Sequence, residues 1–160
     1  MKIGLLVLVL LAGCYLPAAR DDLSGLGGDQ FSNLIREAYS DKVIEGRNAV
    51  GIDRIDKVKA NDIAQRLMLG KTLDELGALF SQEGGQCSSA VANLDRQVMT
   101  CELRRAWKLK NIGAEFPAEN WSEPALKMLF RIGVQKGNSS VDTVVLEITD
   151  ITKYSIGRRE

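Results

Sequence analysis

The sequence predicts an α+β fold, with two or three helices packed on one face of an antiparallel β-sheet of three or more strands. Three observations carry this. Between Phe31 and Phe80, apolar residues recur at intervals of three and four, the period of helices with one buried face. After Cys87 the period changes to two, as in half-buried strands. The last two alternating runs are separated by Lys136-Gly137-Asn138-Ser139-Ser140, a turn sequence, so they read as an antiparallel hairpin.

Taken in order, Phe31, Leu34, Ile35, Ala38 and Tyr39 share one helical face, with Ser32, Arg36, Glu37 and Ser40 between them. This helix is expected to continue through Val43 and Ile44 and to end near Gly46. The stretch from there to Lys59 holds Gly51 and mixed charges and reads as irregular or marginally helical. A second helix is expected from about Asn61 to Leu69, where Ile63, Ala64 and Leu67 share a face and Gly70 supplies the stop. Thr72 and Glu75 have the spacing of a capping box, in which each side chain satisfies a backbone N–H of the other's residue. The third helix therefore starts there, carries Leu73, Leu76, Leu79 and Phe80 inward, and runs out at Gly84-Gly85. Gly70-Lys71-Thr72 does not complete a phosphate-binding loop. Gln65 stands where that motif needs glycine, and no strand precedes it.

In the strand expected over 98–109, Met99, Cys101, Leu103, Trp107 and Leu109 line one face, with Arg105 the exception among them. Leu126, Met128, Phe130, Ile132 and Val134 alternate with residues that include Lys127 and Arg131. A slip of one position would turn that whole apolar set to water, so the register is well specified. Val144, Leu146 and Ile148 face the core from a last strand reaching about Tyr154, and Val91 and Leu94 mark a weaker strand within 88–97.

At the amino end, Lys2 precedes the uncharged run Ile3 to Ala12, which closes on Leu11-Ala12-Gly13-Cys14. A spanning helix needs about 20 apolar residues, so this run is too short to remain in a bilayer and has the form of a secretory signal. The four closing residues resemble the bacterial lipobox. That resemblance implies cleavage before Cys14, a diacylglycerol on its thiol and an acyl chain on its new amino group. Residues 1–13 would be the signal peptide. Two or more acyl chains hold a protein stably on a membrane where one binds marginally. The alternatives are an ordinary signal peptide in which Cys14 is incidental, and a cytosolic chain with a buried apolar end. Tyr15 stands where, in the lipoprotein sorting rule, an aspartate would retain the protein at the inner membrane. By analogy the expected location is the outer membrane with the domain facing the periplasm; the inner membrane and the cell surface remain open. Residues 14–30, rich in glycine and without period, read as a flexible tether averaging about 20 to 24 Å end to end. Residues 31–160 read as a single domain.

The chain has 21 basic and 21 acidic residues, interleaved throughout, and loss of Lys2 with the signal leaves 20 against 21. No basic stripe suggests a nucleic-acid partner. Histidine is absent, which removes the commonest general base and metal ligand, and no cofactor motif is present. With Cys14 lipidated, Cys87 and Cys101 remain, and exported chains oxidise such pairs. Closing a loop of about 15 residues contributes about 3 kcal/mol. Two free buried thiols are the alternative; a zinc site lacks further ligands nearby.

Between the two long strands lies Asn111 to Pro124, long for a connection, with Phe116, Pro117 and Trp121. Phe116 and Trp121 offer either an aromatic contact surface for a partner or two rings folded back on the sheet. Asn120-Trp121-Ser122 and Asn138-Ser139-Ser140 match the glycosylation acceptor, which a bacterial lipoprotein would not use.

Gly70, Thr72, Glu75, Leu76 and Leu79, followed by Cys87, a strand with Trp107 and a hairpin, resemble the SmpA/OmlA-like small outer-membrane lipoproteins over about residues 60 to 154. That family includes the small lipoprotein of the outer-membrane β-barrel assembly machine and shares an architecture with β-lactamase inhibitor proteins. Lys71 stands where its turn motif has methionine, and its glycine-proline exit is missing. The resemblance implies helices on an antiparallel sheet; function does not follow from a fold alone. The expected function is a lipid-anchored, non-enzymatic binding module of the bacterial envelope, supporting outer-membrane assembly or integrity through a protein partner. The alternative is an inhibitor that inserts a loop carrying Glu115, Phe116 and Glu119 into a periplasmic or extracellular hydrolase. An enzyme would need an acid–base pair drawn from carboxylates such as Asp53, Asp56, Asp95 or Glu102, whose spacing pairs none of them.

Overall fold

A computed structural model describes residues 19–40, 54–88, 90–93, 95–111 and 124–151. Its elements run β1 (Ala19–Asp22), a 3-10 turn (Leu23–Gly25), α1 (Gln30–Ala38), α2 (Lys57–Met68), α3 (Leu73–Gln82), β2 (Gln86–Cys87), β3 (Val91–Asn93), β4 (Arg96–Ala106), β5 (Lys108–Asn111), β6 (Ala125–Gln135) and β7 (Thr143–Asp150). β4, β6 and β7 lie side by side, and β2 and β3 pair one after the other with the free side of β4. All of these pairings are antiparallel, so the sheet has five strands and the expected α+β class is observed. β1 and β5 form a separate two-stranded ribbon.

The sheet registers itself as the alternation demands. Met99, Cys101 and Leu103 of β4 stand opposite Ile132, Phe130 and Met128 of β6, and these stand opposite Val144, Leu146 and Ile148 of β7. These side chains and the buried faces of the helices make one apolar cluster. At its centre Phe31 of α1, Phe80 of α3 and Phe130 of β6 meet with ring centroids 4.7, 5.0 and 5.4 Å apart. One aromatic triangle thus ties two helices to the middle strand.

Each helix has a local cause. Asp29 caps α1 and Asp56 caps α2, each accepting a backbone N–H three residues on. The capping box of α3 forms as expected: Thr72 N–H donates to Glu75 at 2.7 Å, and Glu75 N–H donates to the Thr72 hydroxyl at 3.2 Å. Gly70 ends α2 in the left-handed region at φ +81°, where glycine has no steric cost. After α3, Gly85 passes so close to the sheet that a Cβ there would stand 3.0 Å from the Glu102 carbonyl oxygen and from Leu103.

Four boundaries differ from expectation, three through tertiary contacts and one through a local cap. α1 stops at Ala38, since Tyr39 turns extended and bridges to Ile55; the continuation expected through Val43 and Ile44 falls outside the described residues. α2 starts at Lys57, not Asn61, because Asp56 supplies its cap. The strand expected over 98–109 is broken at Trp107. Pro124 has no N–H with which to extend the β4–β6 ladder beyond Ala106–Ala125, and its carbonyl instead accepts the Trp107 backbone N–H at 3.1 Å. The chain beyond Trp107 then takes β1 as its partner. Finally, residues 19–30, expected as part of a flexible tether, are built into the body: β1 is paired along its length and Leu26 is buried.

The outer edge of β7 is covered by α2. Asn61 accepts the Leu146 N–H at 3.0 Å and Gln65 donates to the Val144 carbonyl at 3.5 Å. Two side-chain amides one helical turn apart thus occupy positions that a further strand would fill, which closes that edge to pairing.

Candidate functional site

Of the site residues expected from sequence, Cys87 and Cys101 are brought together. They are directly opposed on β2 and β4, with sulfurs at the bonding distance of 2.04 Å. Cys101 is fully buried and Cys87 is partly exposed, so the bridge fastens the short strand after α3 to the sheet. Cys14, Phe116, Trp121, Glu115 and Glu119 lie outside the described residues.

Two of the carboxylates considered for catalysis have other partners: Asp56 caps α2, and Glu102 pairs with Arg104 at 2.9 Å. Asp53 lies outside the described residues. Among the described residues no cluster of three or more His, Cys, Asp or Glu could hold a metal ion, and no helix is long and apolar enough to cross a membrane.

Two polar clusters that the sequence did not reveal fix the amino-terminal part of the body. In the first, Asp21 of β1 is only 8% exposed. Its carboxylate accepts the indole N–H of Trp107, itself 2% exposed, at 2.6 Å and the Tyr39 hydroxyl at 2.8 Å. Burial pushes the Tyr39 phenol above its ordinary value, and the hydrogen bond and charge of Asp21 push it further. One carboxylate therefore holds β1, the β4–β5 break and the end of α1 together. Nothing in the period around Asp21 signals this, because its partners are far along the chain.

In the second cluster, Arg105 is the polar exception on the inward face of β4. Its guanidinium donates to Asp29 at 3.1 Å and to the Glu83 backbone carbonyl at 3.1 Å, and it lies 3.7 Å from the Glu83 carboxylate. It thus joins the start of α1 to the end of α3. Burial acts to raise the Asp29 carboxyl, but hydrogen bonds from the Ser32 side chain and backbone, with the hydrogen bond and charge of Arg105, outweigh it and hold the group below the usual carboxylate value.

Two surfaces remain open. The outward sheet face aligns Thr100, Arg131 and Val145 in one row and Glu102, Leu129 and Glu147 in the next. Val91 and Val145 are 68% and 51% exposed, and Arg131 pairs loosely with Glu147 at 3.8 Å. Such exposed pairs contribute little energy, so the face can exchange them for a partner's groups at small cost. A groove of about 720 Å³ also opens between α3 and β2, walled by Leu73, Gly77, Ala78, Ser81, Cys87 and Met99 among others. Comparison with known proteins finds no matching family model, no matching curated protein and no matching solved structure.

Proposed function

We propose that this chain is a lipid-anchored, non-enzymatic binding module of the bacterial cell envelope, tethered at Cys14 to the outer membrane with its domain in the periplasm. It would support outer-membrane assembly or integrity by holding a protein partner. The observation that carries the reading is the uncharged run Ile3 to Ala12 closing on Leu11-Ala12-Gly13-Cys14, with Tyr15 next. The open sheet face offers mixed apolar and charged rows of the kind a protein partner can cover, and the 111–124 connection adds Phe116 and Trp121 in sequence. A chain without histidine, in which Asp56 caps a helix and Glu102 pairs with Arg104, favours binding over catalysis.

The test has two parts. Cys14→Ser should abolish labelling with radioactive palmitate and release the protein from the membrane fraction; a variant that still labels and sediments with membranes overturns the anchor. Cross-linking of the native lipidated protein after mild detergent extraction, followed by mass spectrometry, should recover an outer-membrane β-barrel or its assembly partners. Recovery of a soluble hydrolase instead would establish the inhibitor reading.

A further inference from the structure

The tether is shorter than composition suggests, and this has a spatial consequence. β1 starts at Ala19, and Asp21, two residues on, is held inside the body by Trp107 and Tyr39. A strand fixed in this way does not peel off to lengthen the linker. Between Cys14 and Ala19 there remain only Tyr15, Leu16, Pro17 and Ala18. Five fully extended Cα steps span at most about 18 Å, and Pro17 restricts them further. A domain of this size has a radius of gyration of about 14 Å, so the reach is about half its width.

We infer that the β1–β5 end of the domain lies against the lipid surface, and that the headgroup layer of the bilayer is the partner of this end. The inference rests on lipidation of Cys14. The direction follows from the ladder. Ala106 and Ala125 close the β4–β6 pairing next to Trp107, whose indole is bonded to Asp21 of β1. Arg96 and Gln135 close it at the opposite end, beside the turn through Gly137 and Asn138. Eleven residues of strand separate the two ends, about 33 Å at the usual rise. A linker reaching about 18 Å cannot let the domain stand on its Asn138 end, with the β1–β5 end turned about 33 Å away from the membrane, while β1 stays paired.

The experiment uses the full lipidated protein reconstituted in vesicles of phosphatidylethanolamine and phosphatidylglycerol that carry a headgroup energy-transfer acceptor. A donor fluorophore is attached through Ala106→Cys or, separately, Asn138→Cys; both positions are exposed. Transfer from position 106 should be severalfold greater than from position 138. Inserting a flexible 16-residue Gly/Ser segment between Leu16 and Pro17, with a mean span of about 20 to 24 Å of its own, should bring the two positions toward equal transfer. Equal transfer from both positions in the native-length protein, with palmitate labelling and vesicle flotation intact, would overturn the orientation and leave the anchor standing. Absence of both labelling and flotation would overturn the anchor, and this inference with it.

Discussion

Asp21→Ala removes the acceptor of two donors at once. The Trp107 indole N–H at 2.6 Å is buried and would lose its partner without gaining water. The Tyr39 hydroxyl at 2.8 Å is only partly buried and can recover part of its loss from solvent. Hydrogen bonds to a charged group contribute about 1.5 to 3 kcal/mol, and an orphaned buried donor costs about 1 to 3 kcal/mol. Full loss at Trp107 and partial loss at Tyr39 come to about 2 to 4 kcal/mol. The assay is urea unfolding of the full chain in mild detergent, followed by far-ultraviolet circular dichroism. Asp21 has further contacts beyond these two, so the single variant reports more than one bond. A double-mutant cycle with Trp107→Phe, which keeps a ring and deletes the N–H, isolates the indole bond and should give a coupling of about 1.5 to 3 kcal/mol. Limited proteolysis should also cut the Asp21→Ala variant within residues 15–24 faster than wild type. A cost below about 0.5 kcal/mol, the level of an ordinary surface substitution, with no coupling to Trp107, would refute the claim that Asp21 locks β1 to the body.

Three further outcomes follow from the same structure. Phe80→Ala empties one corner of the aromatic triangle at a fully buried position and should cost about 3 to 5 kcal/mol in thermal unfolding; a loss under about 1 kcal/mol would mean the three rings do not hold α3 to the sheet. The Asp29 carboxyl is held below its unfolded value, so its contribution is complete above the ordinary carboxylate range and is lost as pH falls through the lowered folded value. Asp29→Asn should therefore destabilise at pH about 6, and the gap to wild type should narrow in acid; a gap independent of pH in urea titrations would contradict this. Reduction of the Cys87–Cys101 pair should lower stability by about 3 kcal/mol, read as a fall in Tm with dithiothreitol that the Cys87→Ser, Cys101→Ser double variant does not show.

The sequence alone determined the α+β class, the β6–β7 hairpin and the capping box at Thr72, because each is written in a local signal: a period of two, a turn composition, or a side chain three residues from the N–H it satisfies. It also pointed to the pairing of Cys87 with Cys101, by leaving few cysteines to choose from. The tertiary structure decided what depended on partners remote in the chain. Gly25, Gly27 and Gly28 made residues 14–30 look like free linker, yet β1 is ordered by Asn111, Trp107 and Tyr39, which stand far from it in sequence. Arg105 looked like a lapse in an apolar face, but it is the guanidinium on which the start of α1 and the end of α3 converge. Asn61 stood in the sequence only as the expected start of a helix and Gln65 only as a break in a phosphate-loop pattern, yet both bond to the edge of β7. The physical reason is the same in each case. Periodicity reports which face of an element is apolar, whereas a buried polar group is satisfied by whichever partner folding brings within about 3 Å, and that partner leaves no mark on the neighbouring residues.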